Sequence, residues 1–196
     1  MPVALAQVRG QGLVQPIATA PFADMSLSET TIINAIRSAA KYVYITTPYL
    51  IPTHDLIMAL ITAARSGVEV RIATPNIPDK KQVFAATRAH YPQLVEGGVK
   101  IYEYSPGFLH AKQIVVDDRR AMVGSINLDF RSLYMNFECG AWLSDAQCIP
   151  AIRADMEEIF RVSERITLEK CRTLNGPDTL RRRMWRSILR IFAPLM

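Results

Sequence analysis

The chain has 196 residues, of which 49% are hydrophobic and 21% are charged, and its formal net charge is +5. This composition excludes a disordered chain, a collagen-like fibre and a disulfide scaffold. The three cysteines form no CxxC pair and no Cys/His cluster with metal spacing, so neither a zinc site nor a disulfide framework is predicted. No apolar run approaches the ~18 residues of a spanning helix, and residues 1–6 lack a signal-peptide pattern. We therefore expect no transmembrane segment and no signal peptide in this chain.

Most of the positive charge lies near the C-terminus. From Asp178 onward there are five arginines against one aspartate, a net charge of +4, which leaves +1 for residues 1–177. Apolar residues recur there at helical spacing, so residues 177–196 are predicted to form a basic amphipathic helix that contacts anionic lipid. The predicted membrane-contact residues are Arg182, Trp185, Arg186, Arg190 and Phe192. In the alternative, the apolar stripe packs on the domain and the arginines are solvated.

In chain order, residues 1–25 contain three prolines and are predicted to be an extended leading segment, a linker remnant, with one strand-like piece around Leu13–Ile17. A helix begins at the capping-box pattern Ser26-x-x-Glu29. The next predicted elements are a strand at 42–47, a helix ending at Gly67, a strand at 68–72, a helix at 79–96 and a strand at 99–104. This alternation predicts a sheet with parallel pairs and helices packed on it.

The pattern then changes to two short apolar strands, Gln113–Val116 and Ala121–Val123, which predict a hairpin. Another strand is expected at Phe137–Leu143, and a helix from Ile149 until Asn175-Gly176-Pro177. The sequence thus predicts an α/β fold, with one domain over residues 26–176 in which helices flank a mixed sheet.

One of the three histidines has a possible catalytic neighbour. His110 follows the loop Ser105–Phe108, and Lys112 comes two residues later. Because side chains two residues apart on a strand point to the same face, we expect an imidazole and an ammonium group side by side at the end of the sheet. Such a pair suits a phosphate oxyanion and proton transfer.

Further polar residues follow this pair. Asp117 ends the first hairpin strand, and Gly124, Ser125 and Asn127 follow the second. Glycine permits close backbone approach, while hydroxyl and amide donors stabilise phosphoryl oxygens. Glu138 adds a carboxylate that can orient a histidine, as the acid of a catalytic triad does. The set predicts phosphoryl transfer without a metal, with the histidine as nucleophile or general acid/base.

The string from His110 to Asn127 resembles the motif HxKx4Dx6GSxN of the phospholipase D superfamily at every defined position. The flanking sequence resembles bacterial cardiolipin synthases, from about Leu13 to the C-terminus, and matches the C-terminal half of such a synthase. The segments that carry this closer resemblance are 47–52, 97–112, 124–132 and 136–138.

The resemblance implies transfer of a phosphatidyl group from one phosphatidylglycerol to another through a phosphohistidine. It implies a catalytic set of His110, Lys112 and Asp117, in which His110 is the acid/base histidine and Asp117 a supporting residue. Lys112 and Asn127 would hold the phosphate.

By the same resemblance Ser125 would assist phosphate binding, and Gly124 and Glu138 would be supporting residues. No metal and no other cofactor is expected.

Synthases of this type contain two such motifs around one active site, whereas His-x-Lys occurs once in this chain. A nucleophile and a separate acid/base are both needed, so we expect a second motif domain, from a second copy or a partner chain. The alternatives are a single-motif phosphodiesterase or nuclease acting as a homodimer, and a truncated non-catalytic fragment. The charge distribution favours phosphatidylglycerol over nucleic acid, and the expected location is the periphery of a bacterial cytoplasmic membrane.

Overall fold

A computed structural model describes residues 10–21 and 26–174. The elements are β1 (Leu13–Thr19), α1 (Leu27–Arg37), β2 (Tyr42–Thr46), β3 (Leu50–Ile51), α2 (His54–Arg65), β4 (Glu69–Pro75), α3 (Lys81–Glu96), β5 (Lys100–Tyr104), β6 (Gln113–Val116), β7 (Arg120–Gly124), β8 (Leu128–Asp129), α4 (Phe130–Tyr134), β9 (Glu138–Ser144), α5 (Ile149–Arg161), β10 (Ser163–Ile166) and α6 (Leu168–Leu174).

Eight strands form one mixed sheet in the order β1-β9-β7-β6-β2-β4-β5-β10. The pairs β2–β4 and β4–β5 are parallel and are connected through α2 and α3, which confirms the predicted alternation of strands and helices. The remaining pairs are antiparallel, including the predicted hairpin of β6 and β7. β3 and β8 form a separate parallel pair. The predicted mixed α/β fold is therefore confirmed.

Neighbouring residues of the central strands pack on opposite faces of the sheet, as the two-residue period of a strand requires. Val43 and Ile45 of β2 belong to a core that also contains residues of α1, α2 and α3. Tyr44, between them, packs on the other face, where its ring meets Phe160 of α5 edge-on at 5.3 Å between centroids. Helices thus cover both faces of the sheet.

The prediction of one continuous helix from Ile149 to about residue 174 is wrong over residues 162–167, and the chain is helical again in α6 (Leu168–Leu174). α5 ends at Arg161, and Ser163–Ile166 form β10, which pairs with β5. β10 is the last strand on that side, and its backbone supplies partners for the N–H and C=O groups of β5 that would otherwise be unpaired. Ile166, expected on the apolar side of the helix, is 2% exposed and lies opposite Ile101.

The capping box at the start of α1 forms only in part. Ser26 Oγ accepts a hydrogen bond from the backbone N–H of Glu29, as predicted. The buried carboxylate of Glu29, however, accepts from the hydroxyls of Thr53 and Tyr134. Glu29 therefore links α1 to the start of α2 and to the end of α4.

The leading strand β1 pairs along its whole length with β9, so this part of the predicted leading segment joins the sheet. The limits of the domain at residues 26 and 176 stay predictions, and residues 177–196 lie outside the described residues. Within residues 10–21 and 26–174, no helix combines the length and the apolar character that crossing a membrane requires.

Candidate active site

His110 and Lys112 lie in the loop between β5 and β6, not on a strand as predicted, because β6 begins only at Gln113. The side chain of Leu109 is 6% exposed and anchors this loop in the core beneath the sheet. The ring of Phe108 stacks on the exposed imidazole of His110, with 5.4 Å between centroids. The ammonium of Lys112 donates to the carbonyl oxygen of His110 at 2.8 Å. The loop thus places the Lys112 ammonium against the backbone of His110.

The electrostatic surroundings shift the pKa values of His110 and Lys112. Partial burial and then the charge of Lys112 lower the pKa of His110, and the carboxylate of Asp79 acts in the opposite direction. Burial likewise lowers the pKa of Lys112, while Glu138 and Asp129 oppose that shift. The site therefore combines an imidazole that releases its proton readily with an ammonium close to two carboxylates.

A chain of hydrogen bonds connects Asn127 to Glu138. Asn127 Nδ2 lies 2.8 Å from Ser132 Oγ, and Ser132 Oγ donates to Glu138 Oε1 at 3.1 Å. Glu138 Oε1 also accepts from Asn136 Nδ2 at 3.1 Å. In the described residues Glu138 is thus hydrogen-bonded to Ser132 and Asn136, and its negative charge acts on the ammonium of Lys112.

Ser125 is held by the neighbouring strand. Its hydroxyl accepts from the backbone N–H of Cys139 at 3.0 Å and lies 3.2 Å from the carbonyl of the same residue. A Cβ on Gly124 would lie 2.4 Å from that carbonyl oxygen, which explains the need for glycine there. These contacts hold the turn after β7, which leads to Asn127. Ser125 and Gly124 therefore act on the site through the backbone.

Asp129 and Ser132 were not assigned roles from the sequence. Asp129 caps α4 by accepting from the backbone N–H of Ser132 at 2.9 Å. It is 8% exposed, and burial raises the pKa of its carboxyl, with Glu138 adding to the shift. The signal for this cap is the aspartate itself, because aspartate is a preferred residue at helix starts.

Asp117 is not brought together with the other motif residues. It lies at the opposite end of β6, and its carboxylate accepts three backbone hydrogen bonds, at 2.6 Å from Ala40, 2.9 Å from Lys41 and 2.8 Å from Tyr42. Burial alone would raise the pKa of Asp117, but these hydrogen bonds hold it below the ordinary carboxyl value. Asp117 therefore holds in place the backbone that leads into β2.

A cavity of about 160 Å³ opens beside Asn127, and we call it the Asn127 cavity. Tyr49 and Ile51 line one side, and Lys80 and Val83 line a second. The remaining lining residues are Asn127, Asp129, Arg131, Ser132 and Asn136.

The cavity and His110 are linked through Asp79. The hydroxyl of Tyr49 donates to Asp79, and the Asp79 carboxylate opposes the lowering of the His110 pKa.

Exposed apolar side chains, namely Phe108 (41%), Met135 (45%) and Phe137 (81%), lie next in sequence to the residues of the site. The predicted membrane-contact residues Arg182, Trp185, Arg186, Arg190 and Phe192 lie outside the described residues.

Comparisons with known proteins agree with this geometry. Residues 32–160 match the family model described as "Cardiolipin synthase, PLD-like domain". A cardiolipin synthase from Halalkalibacterium halodurans is 41% identical over 169 residues, which is 86% of this chain and 34% of that protein. The chain spans between 34% and 40% of the length of the first curated relatives it matches.

Solved structures support the fold. A phosphatidylserine synthase from Haemophilus influenzae has a TM-score of 0.73 and 18% identity, over 93% of this chain and 46% of that one. Nuc from Salmonella typhimurium, a phospholipase D family member, has a TM-score of 0.64 and 17% identity, over 78% of this chain and 99% of that one. The family match over residues 32–160 includes His110, Lys112 and Asn127 and covers more than half of the chain. The chain therefore belongs to the family of phospholipase D-like domains of cardiolipin synthases.

Proposed function

We propose that this domain transfers a phosphatidyl group between phosphatidylglycerol molecules, together with a second motif domain. The observation that carries the proposal is the position of His110 beside Lys112, within a chain of the cardiolipin synthase family. Both groups lie in one anchored loop, and the Asn127–Ser132–Glu138 hydrogen bonds lie near Lys112.

In the proposed reaction, a histidine of the second domain attacks phosphorus and forms an N–P bond, while the P–O bond to the glycerol headgroup breaks. Protonated His110 gives its proton to the departing alkoxide oxygen. The hydroxyl of a second phosphatidylglycerol then attacks phosphorus, His110 takes the hydroxyl proton, and the N–P bond breaks. This sequence restores both histidines and yields cardiolipin and glycerol.

Lys112 and Asn127 are proposed to hold the phosphate. The ammonium of Lys112 stabilises charge on the phosphoryl oxygens. Asn127 Nδ2 carries two hydrogens and uses one toward Ser132, so the second is available to a phosphoryl oxygen. Ser125, Gly124 and Glu138 act by fixing these groups.

The second domain is proposed to come from a second copy of the chain or from a partner, because His-x-Lys occurs once here. Phe108, Met135 and Phe137 are exposed apolar side chains, and such side chains suit contact with either this partner or the acyl chains of a lipid. We further propose that the basic residues from 181 to 190 attract the chain to anionic membrane.

The test uses purified full-length protein, phosphatidylglycerol vesicles, product analysis by mass spectrometry, and mass measurement of the protein in solution. Wild type should form cardiolipin as a dimer or with an added partner domain. His110→Ala should lower turnover by about 10²–10⁴-fold, the contribution of a general acid/base, and the exposed His54→Ala serves as the matched control.

Wild-type turnover in His110→Ala would remove this histidine from the mechanism. Cleavage of single-stranded DNA without action on phosphatidylglycerol would instead support the phosphodiesterase alternative. An inert monomer that no partner domain activates would support a non-catalytic fragment.

A further inference from the structure

We propose that Asp79 is a positioning residue for the acid/base histidine, and that its carboxylate is the counter-charge that keeps His110 protonated until the alcohol departs. The inference rests on the proposed function, because it concerns the proton that His110 gives to the leaving oxygen. Three observations carry it: the edge of the sheet at which both residues lie, the contacts that hold the Asp79 carboxylate, and the charges that act on His110.

The fold brings the two residues to one edge of the sheet. β2, β4 and β5 are parallel neighbours, so their carboxyl ends lie at the same edge, where open α/β sheets bind their ligands. Loop 76–80 follows β4, and the loop that carries His110 follows β5. Where the two loops begin, the backbone N–H of Asn76 donates to the carbonyl oxygen of Tyr104 at 2.9 Å. Asp79 and His110 therefore belong to adjacent loops at this edge.

Loop 76–80 is anchored at its start by a largely buried ion pair. Arg88 Nη2 donates to Asn76 Oδ1 at 3.1 Å, and it also lies 2.6 Å from Glu103 Oε2. Glu103 is 2% exposed, so the loss of Arg88 would leave a buried charge without its partner. The start of the loop is thus held to α3 and β5 together.

The Asp79 carboxylate is held from two sides, although the residue is exposed. One oxygen accepts a hydrogen bond from the hydroxyl of Tyr49, a residue that follows β2. The other oxygen accepts from the backbone N–H of Lys80 at 2.6 Å. Tyr49 itself packs against a buried cluster that contains Ile51 and Val83. Both oxygens are engaged, so the charge of Asp79 has a defined position beside the loop of His110.

The charges that act on His110 come from these two loops. Partial burial and then the ammonium of Lys112, in the same loop, lower the pKa of the imidazole, and the carboxylate of Asp79 acts in the opposite direction. In the part of the chain that the structure describes, Asp79 is the one charge that favours the protonated imidazole. A general acid must carry its proton when the reaction begins. Without Asp79, nothing would oppose the effects of burial and Lys112.

The test is an NMR titration of the histidine imidazoles in the full chain, without substrate. His110→Ala identifies the signal of His110. In Asp79→Asn the pKa of His110 should lie below its wild-type value, because the charge is lost while a side chain of the same shape remains. Asp55→Asn is the matched control and should leave that pKa unchanged, since Asp55 is an exposed aspartate at the start of α2 that does not act on His110.

Turnover of phosphatidylglycerol gives a second readout. The alkaline limb of the pH profile of kcat/KM reports the loss of the proton from His110 in the free enzyme. In Asp79→Asn this limb should therefore move to lower pH. The loss of turnover should stay below the contribution of the general acid/base itself, about 10²–10⁴-fold, because His110 is still present.

Tyr49→Phe tests the contact that holds the carboxylate. It removes the hydroxyl and keeps the ring, so the pKa of His110 should move toward its value in Asp79→Asn. In the double variant Tyr49→Phe should add no further shift, because its effect passes through Asp79. Additive shifts would overturn the role of Tyr49 in holding Asp79.

An unchanged His110 pKa together with an unchanged pH profile in Asp79→Asn would overturn the inference. A lower free energy of unfolding beside these results would assign Asp79 to the start of α3 alone. Because the titration needs no substrate, the two proposals fail separately. A lowered His110 pKa in a chain that forms no cardiolipin would leave the counter-charge standing and remove the proposed function, whereas cardiolipin formation with an unchanged pKa and profile would remove only the role of Asp79.

Discussion

Substitution of Asp117 tests whether this motif residue stabilises the fold or takes part in the reaction. Its carboxylate accepts backbone hydrogen bonds at 2.6, 2.9 and 2.8 Å, from Ala40, Lys41 and Tyr42. Hydrogen bonds to a charged group contribute about 1.5–3 kcal/mol when buried and about 1 kcal/mol when partly exposed, as here. Asp117→Ala should therefore lower the free energy of unfolding by about 3 kcal/mol.

The control is Asp145→Ala. Asp145 has a φ of +49° and Asp117 a φ of +54°, so both substitutions place alanine in the same left-handed conformation. Comparison of the two cancels the backbone cost, and urea denaturation followed by tryptophan fluorescence gives both free energies. Asp145→Ala also removes the exposed ion pair with Arg119, so Arg119→Ala is measured beside it to account for that loss. Equal destabilisation by the two substitutions would refute the assignment of the three hydrogen bonds.

Asp117→Asn tests the alternative that Asp117 takes part in the reaction. It can keep one acceptor oxygen toward Lys41 and Tyr42, but its amide NH₂ then faces the N–H of Ala40, so it should cost about 1–3 kcal/mol. The folded variant should retain turnover within a few-fold of wild type. Loss of turnover by a factor of about 10² or more in a folded Asp117→Asn protein would instead indicate participation in the reaction.

The pH dependence has a defined sign. Because the folded-state pKa of Asp117 lies below its ordinary value of 3.8, its stabilisation is complete above that pH and is lost as pH falls through the folded-state pKa. Stability curves of wild type and Asp117→Asn should therefore converge toward acid, and parallel curves would contradict the linkage.

Two further predictions concern the site. Gly124→Ala should lower the free energy of unfolding by about 1–3 kcal/mol, because the new Cβ would lie 2.4 Å from the Cys139 carbonyl oxygen. Gly107→Ala, where nothing lies within 4 Å, should change it by less than about 0.5 kcal/mol; equal losses in urea denaturation would contradict this account. Lys112→Met keeps a side chain of similar length and removes a positive charge, so the pKa of His110 should rise. An NMR titration of the imidazole measures it, and an unchanged or lower pKa would refute the electrostatic assignment.

Local patterns were sufficient to predict most of the fold. The helix starting at Ser26, the alternating strand around Val70 and the hairpin of β6 and β7 all follow from capping, periodicity and turn residues. β10 could not be found this way, because its apolar residue Ile166 also fits the spacing of the preceding helix. Its strand conformation depends on pairing with β5, a partner distant in sequence.

In the site, too, some features could be predicted from the sequence and others depend on tertiary contacts. The motif spacing identifies His110, Lys112 and Asn127 as candidate site residues. In the structure, the Lys112 ammonium donates to the backbone carbonyl of His110. The spacing contains no information on what each side chain contacts. Ser132, which joins Asn127 to Glu138, and the three backbone partners of Asp117 are tertiary contacts, so their roles require the folded chain.

The short parallel pair of β3 and β8 has a consequence for folding. It joins Leu50 to Leu128, two positions far apart in sequence, and Tyr49 and Asp129, at this pair, both line the Asn127 cavity. Contacts of such sequence separation have a high cost in loop-closure entropy and form late. We therefore expect the cavity to form after the local β6–β7 hairpin, so that formation of the cavity reports completed folding and not the appearance of secondary structure.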